Sequence, residues 1–283
     1  MSVTLRFIGT GAAEPVPAPG CDCPGCAYAR TDATARRMQS GLALVVGADQ
    51  YVVDCGPAAV AAPQWLQTAR VRGVFVSHLH PDHALGLYSI RWAQHETPIP
   101  VFLPPEGGDT GARDVEHERV HLENWLGLEP SRLDFFSSVA LDEVSVLTLE
   151  LRHGDTPTQG FLFEAGGARV AYLLDGKGLP PRTAAALRDR GRLDGAVIDA
   201  THRPGTRDSR HNNLDEAIEI GLEIGARRVF LTHIGHHNLP KPELEGYVRE
   251  RTAPIVDQEF VCSHDGLTIA LAGSEAEPVA ATR

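Results

Sequence analysis

Three histidines and one aspartate lie within six consecutive residues of this 283-residue chain, and their types suit a metal site. They are His78, His80, Asp82 and His83. Imidazole nitrogens and carboxylate oxygens bind Zn, Fe or Mn in proteins. The β-branched run 71–76 directly before them is typical of a buried strand, so the cluster begins where a strand ends. A polar turn with incidental histidines is the alternative, and further candidate ligands at later strand ends argue against it.

The pattern His-x-His-x-Asp-His at 78–83 resembles the signature of the metallo-β-lactamase superfamily. The resemblance implies an α/β fold, a four-layer αβ/βα sandwich with a dinuclear metal site at one edge. It also implies three more ligands from later strand ends, namely a histidine, a bridging aspartate and a final histidine. The candidates in this sequence are His153, Asp175 and His233.

Each of these candidates follows a strand-like segment, at 144–151, 168–174 and 228–232. Asp199, which follows another apolar run, competes with Asp175 for the bridging position. The expected division of the ligands is His78, His80 and His153 on one ion, Asp82, His83 and His233 on the other, and Asp175 between them.

A second candidate metal site lies near the N-terminus, in the pattern Cys-x-Cys-x-x-Cys. Cys21, Cys23 and Cys26 can converge on one tetrahedral ion, but they leave its fourth corner empty. His236, three residues after His233, is the candidate for that corner. A redox-active cysteine cluster is the rival interpretation, and the paired histidine favours a closed zinc site.

These thiols, with the histidine three positions after the last active-site histidine, resemble the phosphoribosyl cyclic phosphodiesterase family of the carbon–phosphorus lyase pathway. The match continues through Gly9–Gly11, Leu231–His236 and Arg210–Leu214. The resemblance implies a structural zinc at the thiols and a separate dinuclear site of the Mn type for catalysis. It also implies a catalytic role for His211. The chain departs from the family pattern in a longer 104–136 insertion.

Two divalent ions bridged by Asp175 would lower the pKa of a shared water and make hydroxide available near neutral pH. Asp82 takes part as a ligand beside the reacting group. His211 is expected to protonate or stabilise the leaving oxygen, because histidine titrates near neutral pH. The alternative is that His211 is a solvent-exposed loop residue. Lys177 is either a contact for an anionic group or an ordinary surface lysine.

Three functions are compatible with these motifs. The first is a metal-dependent hydrolase that cleaves a small cyclic phosphodiester, ribosyl or nucleotide-like, with two divalent ions (Mn, Zn, Ni or Fe) and one structural zinc. The second is another hydrolase of this fold, such as a lactonase, a thioesterase or a tRNA-end nuclease. The third is a non-hydrolytic role like that of pyrroloquinoline quinone biosynthesis protein B, which carries a similar thiol pattern.

Composition restricts the partners. A formal charge of −11 argues against a general nucleic-acid surface, where a basic stripe is expected. A small anionic substrate is compatible with that charge, because bound metals reverse the local field. No stretch reaches the length of a membrane helix. Cys55 and Cys262 have no partner pattern, as a reducing compartment permits, so we expect a cytoplasmic enzyme, with a homodimer as a further expectation.

The elements that must position these residues are those of one domain, 1–283, without a linker. Segment 104–136 is expected to be a helical insertion, and its H-E-x-x-H match at 117–121 is interpreted as coincidental because the run is strongly charged. The tail 273–283 is expected to fray. The Gly9–Gly11 loop is expected to let backbone pass close to the metals. Strands are predicted near 1–6, 40–46, 51–54, 71–76, 99–103, 144–151, 159–164, 168–174, 195–199 and 227–232, and helices near 85–92, 183–190 and 213–225.

Overall fold

The computed structural model describes residues 3–61, 70–90, 98–106 and 127–271. These residues form two seven-stranded sheets. The strands are β1 (Val3–Gly9), β2 (Gly41–Val46), β3 (Asp49–Val53), β4 (Arg70–Phe75), β5 (Ile99–Leu103), β6 (Leu128–Arg132), β7 (Ser138–Leu141), β8 (Val144–His153), β9 (Thr156–Ala165), β10 (Ala168–Leu173), β11 (Gly195–Asp199), β12 (Arg228–Thr232), β13 (Glu259–Cys262) and β14 (Thr268–Ala270).

The two sheets repeat one pattern of strand directions. The first sheet has the order β14-β1-β2-β3-β4-β5-β6, and the second, in the matching direction, β7-β8-β9-β10-β11-β12-β13. In each sheet the first three neighbouring pairs are antiparallel and the last three are parallel. The repeat means that the carboxyl ends of several strands in each sheet reach the same edge, which is where polar residues can converge.

Helices cover the outer face of each sheet. The described helices are α1 (Pro24–Thr31), α2 (Pro57–Val60), α3 (Pro81–Ala84), α4 (Leu87–Ile90), α5 (Pro181–Asp189), α6 (Leu214–Ile224) and α7 (Lys241–Thr252). Helix α6 begins with a capping box between Asn213 and Glu216 and ends at Gly225 in a left-handed conformation. The helix stop that the sequence predicts at Gly225 is therefore confirmed.

The core has three apolar layers, and strand alternation explains them. Along β3, Tyr51 and Val53 point between the sheets, while Val52 points to the layer under the first set of helices. Along β11, Val197 points between the sheets and Ile198 packs under the second set of helices. The predicted four-layer αβ/βα sandwich is therefore confirmed.

Two of the predicted elements are corrected by the structure. Residues 128–132 form the edge strand β6 and not part of a helical insertion, because they pair in parallel with β5. The helix predicted over 85–92 is broken at Gly86, whose N–H donates to the carbonyl of Cys55. An added Cβ at Gly86 would overlap the backbone of Gly56. Glycine is therefore needed at position 86 for the two backbone segments to pack this closely.

Other predictions fall outside the described residues. They are the last two residues of that helix (91–92), most of the predicted helical insertion (107–126) with its H-E-x-x-H match at 117–121, and the tail 273–283. In the part of the chain that the structure describes, no helix is both long enough and apolar enough to cross a membrane.

Candidate metal centre

Strand direction brings the predicted ligands to one edge of the sandwich. His78 and His80 follow β4, and His153 is the last residue of β8. Asp175 and His233 come just after β10 and β12, which run parallel to each other through β11. Since β8 is two antiparallel steps from β10, its carboxyl end reaches the same edge. Four histidines and Asp175 therefore meet there, from the strand ends of both sheets and from the loop 77–83, which we name the metal loop.

The first group consists of His78, His80 and His153. His80 Nδ1 lies 2.8 Å from His78 Nε2 and 3.3 Å from His153 Nε2. Burial, together with nearby His83, holds the pKa of His78 well below its ordinary value, and burial also lowers the pKa of His80 and His153. The three rings are therefore neutral, which is the form in which imidazole binds a metal.

The second group consists of Asp82, His83, Asp175 and His233. His83 Nε2 lies 3.0 Å from Asp82 Oδ2 and 3.4 Å from Asp175 Oδ2. His233 Nε2 lies 3.1 Å from Asp175 Oδ1. Although burial acts to raise the pKa of the Asp175 carboxyl, His233 and His83 hold it well below its ordinary value. Asp175 is therefore a carboxylate, and its Oδ2 also lies 3.7 Å from His78 Nε2 of the first group.

The donor atoms fit divalent ions. His83 Nε2, Asp175 Oδ1 and His233 Nε2 are buried and have no hydrogen-bond partner among the described residues. Leaving a buried polar atom unsatisfied costs about 1–3 kcal/mol, so these atoms indicate a ligand. Metal–nitrogen bonds of about 2.1 Å in a tetrahedron put donor atoms about 3.4 Å apart, which is close to the observed spacings.

Asp54 positions the residues of the centre that follow β4 in the first sheet. This buried residue follows β3 and accepts hydrogen bonds from Ser77 N (2.7 Å), Ser77 Oγ (3.0 Å), His83 Nδ1 (2.8 Å) and Tyr172 Oη (2.7 Å). Ser77 Oγ also lies 3.0 Å from His78 Nδ1. The Asp54 backbone is left-handed, with φ 57°, which few non-glycine residues adopt. We name Asp54, Ser77, His83 and Tyr172 the Asp54 network.

Asp199 positions the residues of the centre that follow strands of the second sheet. This buried carboxylate ends β11 and accepts from Thr201 N (2.9 Å), Thr201 Oγ1 (2.6 Å), Gly176 N (3.0 Å) and His211 Nδ1 (2.8 Å). Thr201 Oγ1 also lies 2.8 Å from His233 Nδ1. We name Asp199, Gly176, Thr201 and His211 the Asp199 network. Asp199 also forms, with Asp175, His211 and His233, a group whose ligand atoms lie within 4.8 Å of one another, but it shares no such group with His78, His80 or His153. The predicted competitor is therefore less suited than Asp175 to bridge the first and second groups.

His211 lies against the centre without entering either ligand group named above. Its ring stacks on that of His233, with centroids 5.1 Å apart, and meets the ring of His153 edge-on at 4.7 Å. Burial acts to lower the His211 pKa, but the Asp199 carboxylate, by charge and by hydrogen bond, raises it to about 9. His211 is therefore not the solvent-exposed loop residue of the alternative interpretation, because only 19% of its side chain is exposed.

Lys177 does not face the centre as a free cation. Its Nζ donates to both carboxylate oxygens of Glu216 at 2.6 Å. Glu216 also caps helix α6. The lysine therefore belongs to the support of that helix, and the surface interpretation describes it better than contact with an anionic group.

The predicted thiol site is also brought together. The Sγ atoms of Cys21, Cys23 and Cys26 lie 3.3, 3.8 and 3.7 Å from Nδ1 of His236. Zinc bonds of about 2.3 Å to sulfur and 2.1 Å to nitrogen put these atoms about 3.6 Å apart in a tetrahedron. The four donors therefore suit one zinc ion.

Two glycines show where backbone packing is closest. A Cβ at Gly9 would overlap the carbonyl of Gln39, so this glycine lets the loop approach segment 37–39. The same loop pairs with Ile234, the residue after His233, whose N–H donates to the carbonyl of Thr10 at 2.9 Å, so the loop also passes beside a candidate metal ligand. A Cβ at Gly56 would overlap the carbonyl of Asp82. Gly56 thus lets the metal loop pack against the turn after β3, and it is a positioning residue that the sequence did not indicate.

Two facing sheets with histidine and aspartate groups at one edge define a metallo-β-lactamase fold. A chain with this fold and this site belongs to the class of metallo-β-lactamase-fold hydrolases. The family described as the beta-lactamase superfamily domain matches residues 50–234, well over half of the chain. The chain therefore belongs to the beta-lactamase superfamily, and the superfamily predicted from the sequence is confirmed.

Two curated relatives are named ribonuclease Z. The protein of Halorubrum lacusprofundi is 28% identical over 58% of this chain and 48% of the relative. The protein of Myxococcus xanthus is 25% identical over 94% of this chain and 97% of the relative. The match thus spans about half of the first relative and nearly all of the second.

Solved structures share the fold. A diphosphatase of the PhnP family superposes with a TM-score of 0.75 at 24% identity and covers 95% of this chain and 97% of the other. Zinc-bound PqqB from Methylobacterium extorquens has a TM-score of 0.72 at 19% identity, covering 94% and 99%. Human tRNase Z, short form, has a TM-score of 0.64 at 19% identity, covering 94% and 98%.

Proposed function

We propose that this chain is a metal-dependent phosphodiesterase that cleaves a small anionic substrate, a cyclic phosphodiester of the ribosyl or nucleotide kind. The observation that carries the proposal is the position of His211, a half-buried histidine that is paired with Asp199 and packed against two candidate metal ligands. Hydrolysis of an alkyl phosphodiester needs a proton for the leaving oxygen, and His211 is placed to give it.

The ligand assignment is part of the proposal. His78, His80 and His153 would hold one divalent ion, Asp82, His83 and His233 a second, and Asp175 both, while the thiol site would hold a zinc. Ions at the centre supply a nucleophile at neutral pH by lowering the pKa of a bound water, and they offset phosphate charge. Mn, Zn, Ni and Fe all suit this donor set.

The chain's own groups control the proton. Asp199 accepts the proton on Nδ1 of His211, so the second proton of the charged ring is on Nε2. The Asp199 carboxylate acts to raise the pKa of His211 and so favours the charged ring that can give a proton. The peptide N–H groups of Arg210 and His211 both donate to Asp208 Oδ1, at 2.7 and 2.8 Å, and fix the loop that carries the ring. His211 is thus a preorganised proton donor.

The relatives support phosphate-ester chemistry. Ribonuclease Z and diphosphatase are names of enzymes that cleave bonds to phosphorus. The net charge of −11 favours a small substrate over RNA, because RNA-binding surfaces are basic. A tRNA-end nuclease is the second candidate, and it is favoured by the curated relatives named ribonuclease Z.

Leaving-group dependence tests the proposal. General acid catalysis contributes about 10²–10⁴-fold and matters most when the leaving group is poor. His211→Ala should slow hydrolysis of a ribosyl cyclic phosphate by about 10²-fold or more while largely sparing a nitrophenyl diester. Rates are measured with Mn²⁺, Ni²⁺ and Zn²⁺, alongside a precursor tRNA as a competing substrate.

The control is His264→Ala, at an exposed loop histidine whose Nδ1 contacts only the neighbouring Asp265 carbonyl among the described residues. It should leave both rates unchanged. An equal loss of both activities in His211→Ala would assign the residue to binding. Loss of bound metal would make it a ligand, and cleavage of the tRNA alone would replace the proposed substrate.

A further inference from the structure

The thiol site and the catalytic centre are joined by one short turn. His236, the fourth donor of the thiol site, lies between Gly235 and Asn238, and the N–H of Asn238 donates to the carbonyl of Gly235 at 2.9 Å. On one side, Sγ of Cys23 lies 3.0 Å from the carbonyl oxygen of His236. A Cβ at Gly25 would lie 2.8 Å from that same carbonyl. The start of α1 therefore fixes the backbone of this turn.

On its other side the same turn holds Thr201. The N–H of Gly235 donates to the Thr201 carbonyl at 3.1 Å, and Asn238 Nδ2 donates to it at 3.0 Å. Asn238 Nδ2 also donates to the carbonyl of Ala200 at 3.0 Å. The side chain of Asn238 is buried, so these hydrogen bonds are shielded from water. The position of Thr201 is therefore set by the turn that carries His236.

The hydroxyl of Thr201 fixes the tautomer of His233. A hydroxyl has one proton, and an ionised carboxylate accepts only. The Thr201 proton therefore goes to Asp199 Oδ1 at 2.6 Å. Consequently Thr201 Oγ1 accepts the Nδ1 proton of His233 at 2.8 Å, which leaves Nε2 of His233 bare on the side of Asp175. A bare Nε2 is what a metal ion requires.

Thr201 also holds the Asp199 carboxylate in place through its hydrogen bond to Oδ1. The other oxygen of Asp199 accepts from His211 Nδ1 and from Gly176 N, the residue after Asp175. A displacement of Thr201 would therefore disturb both the candidate ligand His233 and the proposed proton donor His211. From His236 the path runs along the backbone to Gly235 and Asn238, and the hydrogen bonds that continue it through Thr201 to His233 are all 3.1 Å or shorter.

We propose that Thr201 is a positioning residue that couples the thiol site to the catalytic centre, so that metal held by the cysteines and His236 tightens the binding of the ion at Asp82, His83 and His233. The proposal rests on the two metal assignments above and is independent of the substrate. It gives the thiol site a role in the centre beyond stabilising the fold.

Mn²⁺ affinity tests the coupling directly. The full-length protein keeps zinc at the thiols, the centre is stripped with a weak chelator, and Mn²⁺ is titrated by calorimetry. Coupling between sites is usually about 5–150-fold in affinity. Cys21→Ser and Thr201→Val should each weaken Mn²⁺ binding by about fivefold or more. In the double variant the two losses should not add, because both break the same chain of contacts.

Two matched variants separate coupling from general damage. Thr201→Ser keeps the hydroxyl and should restore wild-type Mn²⁺ affinity. Cys262→Ser, the same substitution at a cysteine outside the thiol site, should leave the affinity unchanged. If Cys21→Ser does not fold, Asn238→Ala replaces it in the cycle, since it cuts the contact with Thr201 and keeps all four thiol-site donors.

Three outcomes would overturn the proposal. The first is unchanged Mn²⁺ affinity in Cys21→Ser or Asn238→Ala. The second is a double variant in which the losses add fully, which would make the two effects independent. The third is equal weakening by Thr201→Ser and Thr201→Val. A wild-type protein that bound no Mn²⁺ at all would instead contradict the metal centre on which the coupling rests.

Discussion

The two supporting networks of the centre are built alike and do different work. Asp54 and Asp199 are both buried, and each accepts four hydrogen bonds. In each, one hydroxyl residue gives both its N–H and its hydroxyl to the carboxylate, and that hydroxyl also contacts Nδ1 of a metal-group histidine. Each carboxylate also accepts from Nδ1 of a further histidine. The chain thus uses the same device once at each sheet.

The difference lies in where that further histidine points. His83, held by Asp54, places Nε2 among the ligand atoms of the second group. His211, held by Asp199, stacks on His233 and stays outside the two ligand groups. A carboxylate beside imidazole can therefore serve a ligand or an acid, and the geometry of the ring decides which.

The networks also differ in what they join. Tyr172 lies on β10 of the second sheet and donates to Asp54 at the end of β3 of the first sheet. The Asp199 network, in contrast, draws all its donors from the second half of the chain. Asp54 therefore ties the two sheets together as well as positioning ligands. We expect its loss to have the larger effect.

Asp54→Asn is the strongest test of this contrast. Asparagine tolerates the left-handed backbone, so the substitution removes mainly the charge. Loss of one partner of a buried pair costs about 3–5 kcal/mol, and loss of a ligand's support costs about 10–100-fold in metal affinity. Urea unfolding should show the lower stability, and Mn²⁺ titration should show the weaker binding. Wild-type metal affinity in this variant would contradict the role assigned to Asp54.

Asp199→Asn should separate catalysis from metal binding. The amide oxygen can still accept from Thr201, but the amide nitrogen cannot accept from His211 or from the N–H of Gly176. Turnover of a substrate with a poor leaving group should fall by about 10²-fold. Metal content should remain as in the wild type. A loss of metal equal to that in Asp54→Asn would make the two networks equivalent and remove the distinction.

The same variant has a spectroscopic signature. In the metal-free protein, NMR titration should give His211 a pKa of about 9, because Asp199 favours the charged ring. With asparagine the burial remains and the carboxylate is gone, so the pKa should fall below the ordinary 6.5. A group with a raised pKa stabilises the fold below pH 6.5 and loses that contribution as the pH rises through about 9.

The sequence predicted the fold where hydrophobic patterning was strong. The predicted strand at 99–103 has the observed bounds, and the strands that carry the ligands were all found. Strands β13 and β14 were missed because they are only four and three residues long. Helix α7 was missed because only two of its residues, Leu244 and Val248, are buried, which gives a weak apolar pattern. Residues 128–132 contain a proline, which a sheet tolerates at an edge strand such as β6.

The candidate site was predictable in its ligands and not in its support. The candidate ligands are recognisable by residue type and spacing in the sequence, and the predicted strand ends indicate where in the fold they meet. Asp54 follows a strand too, but its partners lie 29 and 118 residues away, and a single sequence does not pair them. The sequence raised Asp199 as a bridging candidate. Its actual role depends on a side-chain direction that only the packed structure defines.

The smallest expected effect concerns the tie between the sheets. Tyr172→Phe removes one of the four donors to Asp54 and leaves the ring in place. A hydrogen bond to a charged group contributes about 1.5–3 kcal/mol, whereas a neutral one contributes about 0.5–1.5 kcal/mol. Tyr51→Phe is the matched control, because Tyr51 is equally buried and its hydroxyl donates to the neutral carbonyl of Leu141 at 3.3 Å.

In urea unfolding Tyr172→Phe should therefore lose about 1 kcal/mol more than Tyr51→Phe. The ratio of rates on good and poor leaving groups should stay at the wild-type value in both variants, because neither tyrosine touches His211. Equal losses of stability would mean that the other three donors satisfy Asp54 without Tyr172. In that case the tie between the sheets would rest on apolar packing, and the two networks would differ only in the histidine that each one holds.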